Sequence, residues 1–112
     1  MGERVPLSRE EWGRTCEGLT ALSNAVGAWR VGKGFETGWP NMMEKLMLVV
    51  TEIGEAAEAY RHQDRDNFAE EIADAMIRLL DISDSVHLDI GARLADKMVT
   101  NEGRPHKHGK VC

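Results

Sequence analysis

Apolar residues recur at steps of three and four in four stretches of the chain, the spacing of one face of a helix. No stretch shows the sustained alternation or β-branched enrichment of a strand. The pattern predicts an all-α protein, a bundle of four to five helices. The first run carries Trp12, Cys16, Leu19, Leu22 and Val26; Ser8, with Glu11 three residues on, opens it as a capping box, and the helix is expected to end near Trp29. In RVGKGFETGWPN, Gly32, Gly34, Gly38 and Pro40 break the periodicity and predict a loop. Loops of this length often serve a site. Asn41 with Glu44 repeats the capping signature for a second helix to about His62, carrying Leu46, Val49, Val50, Ile53 and Ala57. After the polar turn HQDRDN, Asp66 or Asn67 is expected to cap a third helix from Phe68 to about Val86. So short a turn favours an antiparallel hairpin. Asp89 then caps a fourth helix through Leu94 and Met98 to Asn101, with Gly103 and Pro105 as stop signals.

At 112 residues the chain reads as a single domain over 1–112, with an N-terminal arm, 1–7, and a basic tail, 102–112. A chain this short covers a modest share of its apolar surface, so at least a dimer is expected. The 14 Lys plus Arg against 19 Asp plus Glu give a net charge of -5, the wrong sign for a binder of polymeric nucleic acid. Cys16 and Cys112 have no metal-type spacing and are too few for a disulfide scaffold. They suit a reducing cytoplasm, with Cys112 as a free thiol. The start MGERVPLSREEW lacks the apolar centre of a signal peptide, and Pro6 spoils a myristoylation motif. No run approaches the ~18 apolar residues of a membrane span. The expectation is a cytoplasmic protein with no membrane partner.

Two acid pairs change the picture. The second helix holds Glu52-Ile-Gly-Glu55 and the third Glu71-Ile-Ala-Asp74, and acids three apart share a helix face. In an antiparallel hairpin those faces can oppose each other. Four anions in a partly dry site repel unless a cation sits among them. Oxygen ligands without a paired His or Cys favour Mg²⁺, with Mn²⁺ as a substitute, and such ions work with phosphorylated substrates. The third helix adds a polar stripe, Glu71, Asp74, Arg78, Asp81 and Ser85, beside an apolar set, Ile72, Ala75, Met76, Leu79 and Ile82. Arg78 either touches phosphate or pairs with Asp74 or Asp81. Lys45, one heptad before Glu52, projects toward the same region. Gly54 makes sense where another backbone or a ligand approaches closely. The plainer alternative is a set of solvated faces with intrahelical partners, such as Glu58 with Arg61 or His62. Glu58 and Glu70 are expected at the surface or as outer support.

Set in EKLMLVVTEIGEAAEAYR and FAEEIADAMIRLLD, and followed by KMVTNEGRPHKHGK, these acids resemble the ExxE and ExxD hallmark of the MazG-like all-α nucleoside triphosphate pyrophosphohydrolases. That superfamily includes the dimeric dUTPases and the dCTP pyrophosphatases, and the likeness covers roughly residues 25–110. The resemblance implies a helical bundle with Mg²⁺ held by Glu52, Glu55, Glu71 and Asp74. It implies hydrolysis of a (d)NTP to the monophosphate and pyrophosphate, in a housecleaning or pool-balancing role. A homodimer or homotetramer is implied too, with sites near subunit interfaces. Glu52 or Glu55 is the candidate water-orienting base.

Lys97, Asn101 and Arg104 occupy the positions where similar proteins contact phosphate or sugar. Cations near a helix C-terminus also suit the macrodipole. Lys107 and Lys110 in the tail, with His108, either close over a triphosphate or are simply solvated; His106 and His108 are a weaker metal alternative to the four acids. Trp29 and Phe35 are expected as core anchors, the alternative being a ring from Trp29, Phe35 or Trp39 stacked on a base. Lys33 faces phosphate or solvent, and the glycines here make no phosphate-cradling fingerprint. The competing functional class is a non-enzymatic helical module whose acidic faces contact a partner.

Overall fold

The computed structural model describes residues 5–104. Within them the chain forms four helices, α1 (Arg9–Gly32), α2 (Met42–Arg61), α3 (Arg65–Ser85) and α4 (Ile90–Glu102), with a 3-10 turn at Trp39–Asn41. No strand occurs among the described residues, as the periodicity predicts. The capping box forms: Ser8 Oγ accepts from the Glu11 amide at 3.1 Å and Glu11 Oε1 accepts from the Ser8 amide at 2.9 Å. Asp89 caps α4 through the Ala92 amide at 3.2 Å.

Two boundaries and one cap differ from the sequence expectation. α1 continues a turn beyond Trp29 and takes in Gly32; the break comes at Gly34, whose φ of +81° suits a residue without Cβ. Asn41 leaves the α2 amides uncapped, because its side chain accepts from Gly38 N at 2.9 Å and donates to Glu36 O at 3.0 Å. It closes the preceding loop instead. The cap of α3 is Asp64, not Asp66 or Asn67: its carboxylate accepts from the Asn67 amide at 3.1 Å. Its own amide donates back to Ala59 O at 2.9 Å, with Gln63 left-handed at φ 55°. That bond spans five residues, as in a Schellman ending, and it starts α3 earlier by packing stop and start signals into three residues. His87, φ 58°, ends α3 the same way, with Leu88 N donating to Ser83 O.

α2 lies along α3, while α1 packs against both α3 and α4. The α1–α4 pair is antiparallel. Near the start of α4, Thr20 Oγ donates to Asp89 at 2.6 Å and accepts from the Gly91 amide at 3.0 Å, and at its middle Asp96 pairs with Arg9. Small residues make both contacts of α1 close. Ser23, fully covered, donates to Leu80 O at 2.6 Å, and the bare Cα of Gly27 admits the Asp84 side chain, which a Cβ would meet at 1.7 Å. At Gly91 a Cβ would stand 2.5 Å from the Cys16 carbonyl oxygen.

The resulting core is thin. Its buried apolar residues are Cys16, Leu80 and the alanines Ala56, Ala59, Ala75 and Ala95. Several positions expected inside are exposed: Leu22 on α1, Leu46, Val50 and Ile53 on α2, and Met76 and Leu79 on α3. What α2 turns toward α3 is Glu52, Ala56 and Ala59, so its large aliphatic stripe faces away from the chain's own core. The radius of gyration, 16.5 Å, exceeds the about 13 Å of a compact domain of this size.

Gly91→Ala is expected to lower stability by about 1–3 kcal/mol, since helix backbone cannot yield as a side chain can. Gly18→Ala, whose Cβ meets nothing within 4 Å, should instead add up to about 1 kcal/mol of helix propensity. Urea midpoints of the two variants check both signs.

Candidate metal and phosphate site

The hairpin brings the two acid pairs together. Carboxylate oxygens of Glu52, Glu55 and Glu71 all lie within 4.8 Å of one another, Glu52 and Glu71 buried and Glu55 exposed. Asp74, also exposed, stands outside that triad, but its charge acts on both Glu52 and Glu71. Helix spacing explains the grouping: Glu52 and Glu55 lie one turn apart on α2, Glu71 and Asp74 one turn apart on α3, and the antiparallel pairing crosses them.

Crowding shows in the proton affinities. The Glu71 carboxyl is pushed up to about 7, first by a hydrogen bond with Glu55 that needs a proton on one of the pair. Loss of solvent and the charges of Glu55, Glu52 and Asp74 add to it. Glu52 is raised chiefly by loss of solvent, against the pull of Arg78, with Glu55 and Asp74 adding to the rise. Glu71 Oε2 is buried without a hydrogen-bond partner. A buried, unpartnered acceptor beside two further carboxylates is an unfavourable arrangement by itself. The donor set is all hard oxygen, so the residues present fit a divalent cation that would satisfy Oε2 and cancel the repulsion.

Cations border this cluster on one side. Arg78 Nε, also buried and unpartnered, stands 3.9 Å from Glu52 Oε1. The sequence alternatives for Arg78 were Asp74, Asp81 or phosphate; its ion-pair neighbour is Glu52 instead, because Asp81 is taken. Arg30, at the C-terminal end of α1, donates from Nε to Asp81 Oδ1 at 2.7 Å and from Nη2 to Asp84 at 3.3 Å, and Thr37 Oγ donates to Asp81 Oδ2 at 2.7 Å. This clasp ties the glycine-containing loop to α3. It was not foreseen: Arg30 sits among loop residues in the sequence, and only the extension of α1 and its crossing at Gly27 aim it at α3. Lys45 lines, with Arg78, a cavity of about 350 Å³ that also touches Trp29, Phe35 and Asp81 but none of the four acids. Trp29 and Phe35 are not core anchors: they are 56% and 63% exposed, and Trp39 is 78% exposed.

Other candidates are not gathered here. Lys97, Asn101 and Arg104 sit on or just after α4, which packs on α1, and they share no hydrogen bond or ion pair with the acids among the described residues. Asn101 Oδ1 is nonetheless buried without a partner. Lys107 and Lys110, with His106, His108 and Cys112, lie outside the described residues. Lys33 is exposed. Ser85 donates to Ile82 O in its own helix. A Cβ on Gly54 would meet nothing within 4 Å, so no approach within this chain requires that glycine. Glu58 behaves as the plainer alternative held, at the surface with Arg61 at 3.3 Å and His62 at 2.9 Å. Comparison with protein-family models, with curated proteins and with solved structures finds no match to this chain. What the site can do therefore rests on its own geometry. No helix among the described residues is long and apolar enough to cross a membrane.

Between the ordinary value of 4.5 and about 7, folded protein keeps a proton at Glu71 that unfolded chain has released. This contribution to stability is complete below the lower value and is lost as pH rises through the upper one. In metal-free buffer the thermal midpoint should fall from about pH 5 to about pH 8, and Glu71→Gln should flatten the fall. A slope that Glu71→Gln leaves unchanged would assign the effect elsewhere.

Proposed function

We infer that this chain is a magnesium-dependent nucleoside triphosphate pyrophosphohydrolase of the MazG-like all-α kind, converting a (d)NTP and water to a (d)NMP and pyrophosphate. The observation that carries this is the convergence of Glu52, Glu55 and Glu71, with Asp74 beside them, around a covered carboxylate oxygen that has no protein partner. Intrahelical surface pairing, which explains Glu58, does not explain acids that face one another across two helices and, at Glu52 and Glu71, bind their protons more tightly than an isolated carboxylate.

Chemically, the residues divide the work. Glu52, Glu71 and Asp74, with Glu55, would hold Mg²⁺, or Mn²⁺ in its place. When bound, the ion supplies neutralising charge for the phosphate oxygens and for the leaving pyrophosphate. Of the two candidate bases, Glu55 is the one open to solvent, which supports assigning it to orient water and accept its proton. Arg78, beside Glu52, and Lys45, which lines a cavity with Arg78, would take the phosphate chain as fixed positive charges. A net charge of -5 suits a small anionic ligand held by local cations rather than a nucleic-acid polymer.

The functional unit in this proposal is a homodimer or homotetramer in the cytoplasm. Met43, Leu46, Met47, Val50 and Ile53 form an exposed stripe on α2, and the extended shape fits a subunit whose core is completed by a second copy. Gly54 lies on that same side of α2, where a second backbone would approach. The same stripe is what a non-enzymatic helical module would present to a partner, which makes that the second reading.

Incubation with a panel of triphosphates and Mg²⁺ should release monophosphate and pyrophosphate. Glu52→Gln or Asp74→Asn should slow release about a hundredfold or more while the helical circular dichroism is kept. Diphosphate and orthophosphate as products would reject the reaction; no turnover, with no thermal shift on adding Mg²⁺ and nucleotide, would favour the module. Separately, Val50→Asp with Ile53→Asp should convert an oligomer into monomers in sedimentation equilibrium. Wild-type chain already monomeric at micromolar concentration would remove the oligomeric part.

A further inference from the structure

Two arginines meet the polar stripe of α3 in opposite circumstances. Arg30, reaching across from α1 with its side chain 13% exposed, donates to Asp81 Oδ1 at 2.7 Å and to Asp84 at 3.3 Å. Arg78, on α3 itself, has a covered Nε with no hydrogen-bond partner, 3.9 Å from Glu52. A covered N–H left unpaired is costly, and a carboxylate able to relieve it stands three residues further along the same helix. That carboxylate is Asp81, at a spacing where an arginine and an aspartate pair readily. Arg78 and Asp81 even line the same cavity, together with Arg30, Thr37 and Lys45. Yet the ion pairs formed among the described residues join Asp81 to Arg30 and not to Arg78.

The reason lies in what holds Asp81. Arg30 Nε donates to one of its oxygens and Thr37 Oγ to the other, each at 2.7 Å, and the carboxylate, its side chain 16% exposed, has little water with which to exchange them. Removing either donor would leave an under-bonded carboxylate oxygen one helical turn from an unpaired guanidinium N–H, and each would be the other's nearest remedy. The remaining acids close to Arg78 are Glu52 and Asp74, which would be engaged by a divalent cation. With that cation in place, Asp81 is the competitor for Arg78 on α3.

We propose that Arg30 is a positioning residue: by occupying Asp81 it keeps the Arg78 guanidinium available to an anionic phosphate group. The proposal rests on the pyrophosphohydrolase reading for the identity of the anion, and its test measures binding and not turnover. Titration calorimetry of the full chain with inorganic pyrophosphate and saturating Mg²⁺ compares a small set of variants. Arg30→Gln should weaken pyrophosphate binding about tenfold, the scale of one charge-assisted hydrogen bond. Arg78→Gln should weaken it by a similar factor, and adding Arg30→Gln to Arg78→Gln should bring little further loss, because the effect of Arg30 passes through Arg78. Asp81→Asn should restore the affinity of Arg30→Gln. Asp84→Asn changes the charge by the same amount but lies six residues from Arg78, about 9 Å along the helix, and should restore none of it.

Circular dichroism establishes that Arg30→Gln folds. If it does not, Thr37→Val, which frees the other oxygen of Asp81 from a loop position, takes its place, with a loss of about threefold that Asp81→Asn cancels. Pyrophosphate binding indifferent to the loss of Arg30 or of Thr37, equal and additive losses in the presence and absence of Arg78, or rescue by Asp84→Asn as complete as by Asp81→Asn would each overturn the proposal. The last two would assign Arg30 to loop support and to the general field of charge. Turnover of triphosphates with any of these results would keep the enzyme and reject the positioning role, whereas a wild-type chain that binds no pyrophosphate would overturn both.

Discussion

Two helices carry acids toward each other, and much of the architecture answers to that repulsion. Buried carboxylates cost several kcal/mol each unless something compensates them, and here compensation within the chain is partial. Arg78 approaches Glu52 without a hydrogen bond, and the crowding pushes the Glu71 carboxyl up to about 7, so that a proton held there relieves part of the repulsion. Small side chains permit the approach: apart from Leu80, whose carbonyl meets Ser23 of α1, the buried apolar residues of the hairpin are Ala56, Ala59 and Ala75. Larger ones would hold α2 and α3 too far apart for carboxylates three residues apart on each helix to meet. The seam of the hairpin is thus built for polar convergence and cannot also be its hydrophobic core.

That choice displaces the apolar surface. A helix has one face toward its neighbour, and on α2 the acids and alanines occupy it, so Met43, Leu46, Met47, Val50 and Ile53 look outward. On α1 the inward positions are Cys16, Ser23 and Gly27, again small, which lets α1 pass close to both α3 and α4. Close crossings favour precise polar contacts, Ser23 to Leu80 and Arg30 to Asp81, over bulk burial. A fold with so few large buried side chains leaves much of its hydrophobic stabilisation to be gained by association.

Periodicity revealed the helices because it depends only on local spacing, and the caps at Ser8 and Asp89 were legible for the same reason. Asn41 and Asp64 were not. Asn41 had a rival set of backbone partners in the loop, and Asp64 competed with two equally suitable residues until the left-handed Gln63 fixed where the turn closes. The acid quartet was legible since three-residue spacing plus a short turn nearly forces convergence. Which face of α2 is buried was not: hydrophobicity points one way, and the acids, whose partners lie on another helix, decide the other. Trp29 and Phe35 were misplaced by the same rule, that large rings go inside.

Arg30 shows where local reasoning ends. The sequence marks the loop that starts at Arg30 but not Arg30 itself, yet its guanidinium organises Asp81, Asp84 and, through Asp81, Thr37 of the loop. Its side chain is about seven-eighths covered, so its charge needs those carboxylates as much as they need it. The clasp also uses up the negative charge that would otherwise compete for Arg78. By holding Asp81, Arg30 leaves Arg78 Nε without a hydrogen bond, 3.9 Å from Glu52, and that divides one polar stripe into a half that ties the loop to α3 and a half that sets a cation beside the acids.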